Sequence, residues 1–481
     1  MSAATTLGDH FLSDEIRTLL REALDGHDGH AELRAVQKTT RSISVEEGQV
    51  EAAAVKRKGG VGVRVLENGT WGFSSTSLLD LASIRRALHE AVEAARASAS
   101  MRSETVPELA SADLAVGSIP NPDAERVASI SMEEKVALVL ESERSLRAES
   151  RSIRSAASAY TEIDESKVIV TTDGADVAFR ILRPEFRVQA VAEKNGQLAV
   201  AFQAVGVTGD WDCLFHEHPR SRMIEEAGKT AVDLLDAESP DGGRKTVILA
   251  PSIVGLLVHE AIGHTVEADF VQAGSVAQGK IGQRVASDLV TLCDSGASEF
   301  LEGAGGTLPV DDEGVVCRKA TIIREGVLEG YLHNRESAAR FGVAPTGNAR
   351  AWNHSDQPLI RMRNTYLCPG DSTLEEMIAG VEDGYLLDGP RNGQADATGE
   401  FMFAVQTARR IRHGRLEELV RGVTISGVAF EVMQTVDAIS REFHWDLGSG
   451  YCGKGQPAKV DAGGPYVRCQ VLLGGLQGED G

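Results

Sequence analysis

His259-Glu260-Ala261-Ile262-Gly263-His264 closes a strongly apolar run at residues 247–258. Two imidazoles and a carboxylate in one short motif are what a hydrolytic zinc site needs. The nitrogens hold the ion, and the carboxylate takes a proton from water. The spacing carries further information. The common H-E-x-x-H pattern sets its histidines at i and i+4 on one helix face; here they stand at i and i+5. On an ideal helix, five steps turn two side chains about 140° apart, too far to share one ion. Either the helix widens into a π-turn, which brings i and i+5 together, or the motif binds nothing and His259-Glu260 is a hydrogen-bonded core pair. Gly263 lies where a distortion costs little, because a glycine already weakens a regular helix by about 1 kcal/mol.

A catalytic zinc usually takes three protein ligands and keeps one position for water. Glu267 and Asp269 are the nearby candidates for the third, and His444, Cys452 and Cys469 the distant ones. Cys452 stands out by its context, Gly448-Ser449-Gly450-Tyr451-Cys452-Gly453-Lys454-Gly455-Gln456. Glycines let the backbone bend tightly around a thiolate, and the charge of Lys454 would favour the deprotonated form. Cys213, Cys293, Cys317, Cys368 and Cys469 read as small buried hydrophobes, the usual fate of a free cysteine.

HEAIGH with a distant GYCGKGQ resembles the TldD branch of the TldD/PmbA family of metalloproteases. Further blocks are similar: Gly279-Lys280-Ile281-Gly282-Gln283-Arg284, Asp311-Asp312-Glu313-Gly314, Gly330-Tyr331-Leu332-His333-Asn334-Arg335, Arg361-Met362-Arg363-Asn364 and Gly399-Glu400-Phe401. Their order matches over about residues 240–475; in the N-terminal half the Gly59-to-Val65 block is the clearest piece. The resemblance implies Zn²⁺ held by His259, His264 and Cys452, with Glu260 as general base. It also implies a dimer, either of identical chains or of this chain with a PmbA/TldE-type partner lacking the histidines. The family usually keeps one residue between the lysine and the Gly-Gln pair; CGKGQ has none.

The chain has 481 residues, enough for two or three domains. Apolar content of 42% and charged content of 25% are those of a folded globular protein. A net charge of −22 repels phosphate backbones and argues against direct nucleic-acid binding. Asp9, Asp14 and Glu15 interrupt any signal-peptide core, and the longest apolar run contains Pro251 and Ser252, so no membrane association is expected. Six scattered cysteines suit a reducing cytoplasm.

Helices are expected over residues 11–26, 78–99, 132–146 and 223–235, where apolar residues recur at helical spacing. Two strand meanders are expected between them, punctuated by Asn68-Gly69, Asp173-Gly174 and Asn195-Gly196. Residues 100–125, with three prolines, read as a linker. From residue 246 a strand leads into the motif helix, starting at Pro251 or Ser252. Short strands with glycine turns follow, broken by helices near residues 335–341 and 372–381. The expected fold class is α+β: an N-terminal α/β region of strand meanders with helices (1–125 and 126–238), then a β-rich C-terminal domain (239–481) carrying the HExxxH helix.

Two functions fit. One is a zinc-dependent peptidase acting on peptides or unfolded proteins, in which His333, Arg361, Arg363 or Asn364 could stabilise the oxyanion. The other is a non-catalytic peptide-binding or scaffold subunit of a TldD/PmbA-type complex.

Overall fold

The structure, a computed structural model, describes residues 14–101, 105–106, 108–121, 126–127 and 129–474. Within them the first expected helix runs Asp14–Leu24; Leu12 lies outside the described residues. Seven strands follow: β1 (His30–Glu46), β2 (Gln49–Glu67), β3 (Thr70–Thr76), β4 (Val116–Ile119), β5 (Ile153–Thr171), β6 (Asp176–Lys194) and β7 (Gln197–Gly206). They form one sheet in the order β3-β2-β1-β5-β6-β4, with β7 also on β6. The two meanders thus join through the antiparallel β1–β5 pair, from Glu32↔Thr171 to Glu46↔Ala157. Each meander has the same order of helix, three antiparallel strands, helix. The flanking helices are Asp14–Leu24 and Leu81–Ala99 for the first, Met132–Ala148 and Arg220–Asp233 for the second.

Turn chemistry sets the hairpins. Asn68 and Gly69 have φ of 50° and 73°, and Asn195 and Gly196 have 54° and 82°. Two consecutive left-handed residues make the turn whose twist matches the paired strands. Asp80 caps Leu81–Ala99 by accepting from Ser83 N at 2.9 Å, and Ser131 with Glu134 forms a capping box on Met132–Ala148.

Strand alternation gives the sheet two unlike faces. Leu33, Ala35, Val61 and Val63 pack under Ile84, Ala87 and Ala91; Phe186 and Val188 pack under Met223 and Ala227. The opposite face carries buried charges that meet the C-terminal region: Arg64 donates to Glu313 at 2.6 Å, and Lys167 to Asp312 at 2.8 Å. The linker expected over residues 100–125 is corrected in its described part. There β4 runs parallel to β6, from Val116↔Asp176 to Ile119↔Phe179. Prolines break helices and central strands, but they tolerate a short edge strand between them.

In the C-terminal region five strands pair in a closed circuit. Gly243–Leu249 runs beside Asp383–Ala395, which pairs Glu400–Arg412; that strand pairs Thr424–Val428, then Val467–Gly474, which returns to Gly243–Leu249. Closure leaves a barrel whose five strands all have two neighbours. Its residues Val247, Leu249, Leu387, Phe403 and Ile425 share one core with Ile253, Leu257, Val258, Ala261 and Ile262 of the motif helix. A helix apolar all round is one buried all round. A second, six-stranded sheet includes Leu292–Ser295, Asn364–Leu367 and Asp461–Gly464. The α+β class therefore holds, with its β-rich part C-terminal. Among the described residues no helix is long and apolar enough to cross a membrane.

Candidate metal centre

Pro251 takes the first position of the helix Pro251–Leu256, where its missing N–H and fixed φ fit. The next residues, Leu257–Gly263, are a π-helix, and the His264 N–H donates to His259 O, five residues back. This is the widened turn that the i, i+5 spacing requires. It places the two imidazole centroids 5.3 Å apart instead of on diverging faces. The chain then tightens into the 3₁₀ turn His264–Val266 and straightens at Glu267.

Gly263 has a different role from the one its position suggested. Its backbone is ordinary right-handed helix, with φ −54° and ψ −49°. What it provides is room, because a Cβ there would lie 2.0 Å from Met362 Sδ. Met362 is fully buried and cannot move aside into solvent. Gly263→Ala is therefore expected to destabilise the chain. Overpacking costs about 1–3 kcal/mol, which outweighs the gain of about 1 kcal/mol in helix propensity. Denaturant melts would show a lowered midpoint; an unchanged or raised one would contradict the packing argument.

The third donor arrives on a hairpin, Tyr451–Gly453 paired with Pro457–Lys459, with Cys452 opposite Ala458. CGKGQ closes it compactly, Gly455 taking φ 71°. Two anchors set the hairpin in place. Arg361, fully buried, donates to Cys452 O at 2.6 Å and to Gln456 O at 2.7 Å. From the N-terminal sheet, Glu185 accepts from Lys459 at 2.6 Å and from the Tyr451 hydroxyl.

His259, His264 and Cys452 offer ligand atoms that all lie within 4.8 Å of one another, and among the described residues no other such group of three occurs. That span is about the width of one zinc coordination sphere, given bonds of about 2.0–2.3 Å. Cys452 Sγ lies 3.1 Å from His264 Nε2. The other nitrogen of that ring, Nδ1, meets Glu267 Oε2 at 3.0 Å, which fixes the ring and turns Nε2 toward the thiol. Both ring nitrogens of His259 are buried without a hydrogen-bond partner. An orphaned imidazole beside a thiol and a second, carboxylate-oriented imidazole is a donor set that fits a zinc ion.

The electrostatics agree. Burial alone would raise the Cys452 thiol, but His259 and His264 overcome it and draw the thiol down to about 5. Burial alone would lower His264, but Cys452 and Glu267 hold it up to about 10. The two shifts oppose each other across one contact: each group favours the charged form of the other. Glu260 contributes no donor to the cluster. Its Oε2 lies 3.8 Å from His264 Nε2, and its side chain keeps 33% exposure, beside the ligands and open to water.

The remaining candidates separate clearly. Glu267 and Asp269 both bind Lys454, so neither is a free ligand, and Lys454 neutralises carboxylates rather than the thiol. His444 lies in a short strand and lines a cleft, and Cys469, pushed up to about 12 by burial, lies in a barrel strand. His333 bonds Ser337 and is pushed down to about 4 by burial. Arg363 is locked on Asp294, and Asn364 on Gly306 and Ala297. The role of Glu267 as the partner of His264 was missed by sequence reasoning, although its i+3 position was a usable signal. The cleft, about 530 Å³, is lined by Leu256, His444 and Ser449, but by none of His259, Glu260, His264 and Cys452.

Two histidines and a cysteine around one point, with a carboxylate beside them, are residue types that a metallohydrolase site can use. Comparison with known proteins agrees. Residues 31–99, 125–235 and 242–473 match, in order, domain 1, the central domain and the C-terminal domain of the PmbA/TldA metallopeptidases. A metalloprotease of Methanothermobacter thermautotrophicus is 33% identical, over 93% of this chain and 95% of its own. A zinc metalloprotease TldD homolog of Saccharolobus solfataricus is 32% identical over 65% of this chain and 67% of its own. The crystal structure of TldE from Thermococcus kodakarensis superposes with a TM-score of 0.76 at 18% identity, covering 96% of this chain and 99% of that one. The chain belongs to the PmbA/TldD family of metallopeptidases.

Proposed function

We propose that this chain is a zinc-dependent peptidase that hydrolyses peptide bonds in peptides or unfolded proteins. The observation that carries the reading is the π-turn, which converts an unusable i, i+5 spacing into a shared donor set with Cys452. His259, His264 and Cys452 would hold the ion. A zinc ion so held supplies Lewis acidity, bringing the pKa of water to about 7 and polarising a peptide carbonyl. Glu260 accepts the proton of the attacking water and returns it to the leaving amine. Glu267 keeps His264 in the tautomer that presents Nε2. The chain works in the cytoplasm as a dimer, with itself or with a PmbA/TldE-type chain.

The test is hydrolysis of an unstructured peptide by zinc-loaded protein. A chelator should abolish turnover, and added zinc should restore it. Because the ligands come from two distant segments, metal binding is coupled to folding. Zinc at 100 times its dissociation constant should stabilise the chain by about 2.7 kcal/mol, so chelation should lower the melting temperature. Turnover that survives complete metal removal would refute the proposal.

A further inference from the structure

Lys454 lies in the turn of the hairpin that carries Cys452. Its ammonium has three donors and finds three acceptors: Glu267 Oε2 at 3.1 Å, Asp269 Oδ1 at 2.8 Å and Ile360 O at 3.0 Å. It also stands 4.3 Å over the ring of Phe270. Glu267 is fully buried, and the oxygen that meets Lys454 is the one that meets His264 Nδ1. His264 Nε2 in turn meets Cys452 Sγ, two residues before Lys454. The contacts close a ring: Cys452, Lys454, Glu267, His264 and back to Cys452.

The ring joins two segments 188 positions apart, the separation of His264 and Cys452. No local backbone preference can set their distance; a tertiary contact must. We infer that Lys454 is a positioning residue, which holds the cysteine hairpin and the Glu267-oriented His264 in one register and so preorganises the metal site. The inference rests on the zinc reading above. A buried carboxylate that orients a ligand histidine needs a compensating charge, and Lys454 brings that charge from the segment that bears the cysteine. A single ammonium therefore supplies the charge that faces Glu267 Oε2, while Oε1 keeps no hydrogen-bond partner, and fixes the approach of the cysteine hairpin.

The experiment is a double-mutant cycle in zinc affinity, measured by competition with a chelator on the full chain. Lys454→Met and Glu267→Gln should each weaken zinc by about 10–100-fold, the range for loss of an outer partner of a metal ligand. Because both break the same ring, the double variant should be about as weak as the worse single one. Cobalt in place of zinc gives a second readout, since the thiolate–cobalt absorption should change in Lys454→Met. Should Lys454→Met fail to fold, Lys454→Gln, which keeps a hydrogen-bond donor and removes the charge, carries the same expectation. Wild-type affinity in the single variants, or losses that multiply in the double, would overturn the ring while leaving the zinc reading standing. A wild-type chain that binds no zinc would overturn both.

Discussion

Glu260→Gln is expected to keep its zinc and lose about 10²–10⁴-fold in turnover, the contribution typical of one positioned general base. The amide has the shape of the carboxylate it replaces and cannot accept a proton at neutral pH. Glu260 is not among the grouped donors, so the metal should stay. Its carboxylate lies 3.8 Å from His264 Nε2, and its exposure lets water reach it. Hydrolysis of an unstructured peptide, measured beside metal content, checks both halves. Wild-type turnover would remove Glu260 from the mechanism. Loss of metal together with turnover would make it a structural residue.

Cys452→Ser should lose more zinc affinity than any variant of an outer partner, beyond the range of about 10–100-fold. A neutral hydroxyl replaces a thiolate, which is the stronger zinc ligand. The site is built around that thiolate: the two imidazoles draw it down to about 5. Cys469→Ser and His444→Ala are the matched controls. Cys469 is buried in the strand Val467–Gly474, and His444 pairs with Gly464. Both should bind zinc as the wild type does. Full zinc in Cys452→Ser with loss in His444→Ala would show the third ligand to be misassigned.

Much of this was readable from residues because it is local. The i, i+5 histidines could share an ion only across a π-turn, and Leu257–Gly263 forms one. Asn68-Gly69 and Asn195-Gly196 dictated their hairpins through left-handed backbone. The Arg335–Phe341 helix follows from the Asn334 cap and Gly342 in the left-handed conformation at its end. What was not readable depends on distant partners. Nothing in β1 alone specifies that it pairs with β5, more than a hundred residues on. The barrel closes through Val467–Gly474 against Gly243–Leu249, a pairing between the two ends of the C-terminal region. Gly263 read as the place where a helix distortion costs little; its actual constraint is Met362, on another element. Lys454 was placed beside the thiol by sequence proximity, but its ammonium reaches across to Glu267 and Asp269. Arg361 looked able to hold an oxyanion, and it is spent on the carbonyls of the cysteine hairpin.

The central claim is that one zinc ion is shared by His259, His264 and Cys452. Elemental analysis of the purified wild type beside His264→Ala tests it most directly. The account predicts about one zinc per wild-type chain, as for a single three-ligand site, and little in the variant. Equal zinc in the two proteins would contradict it.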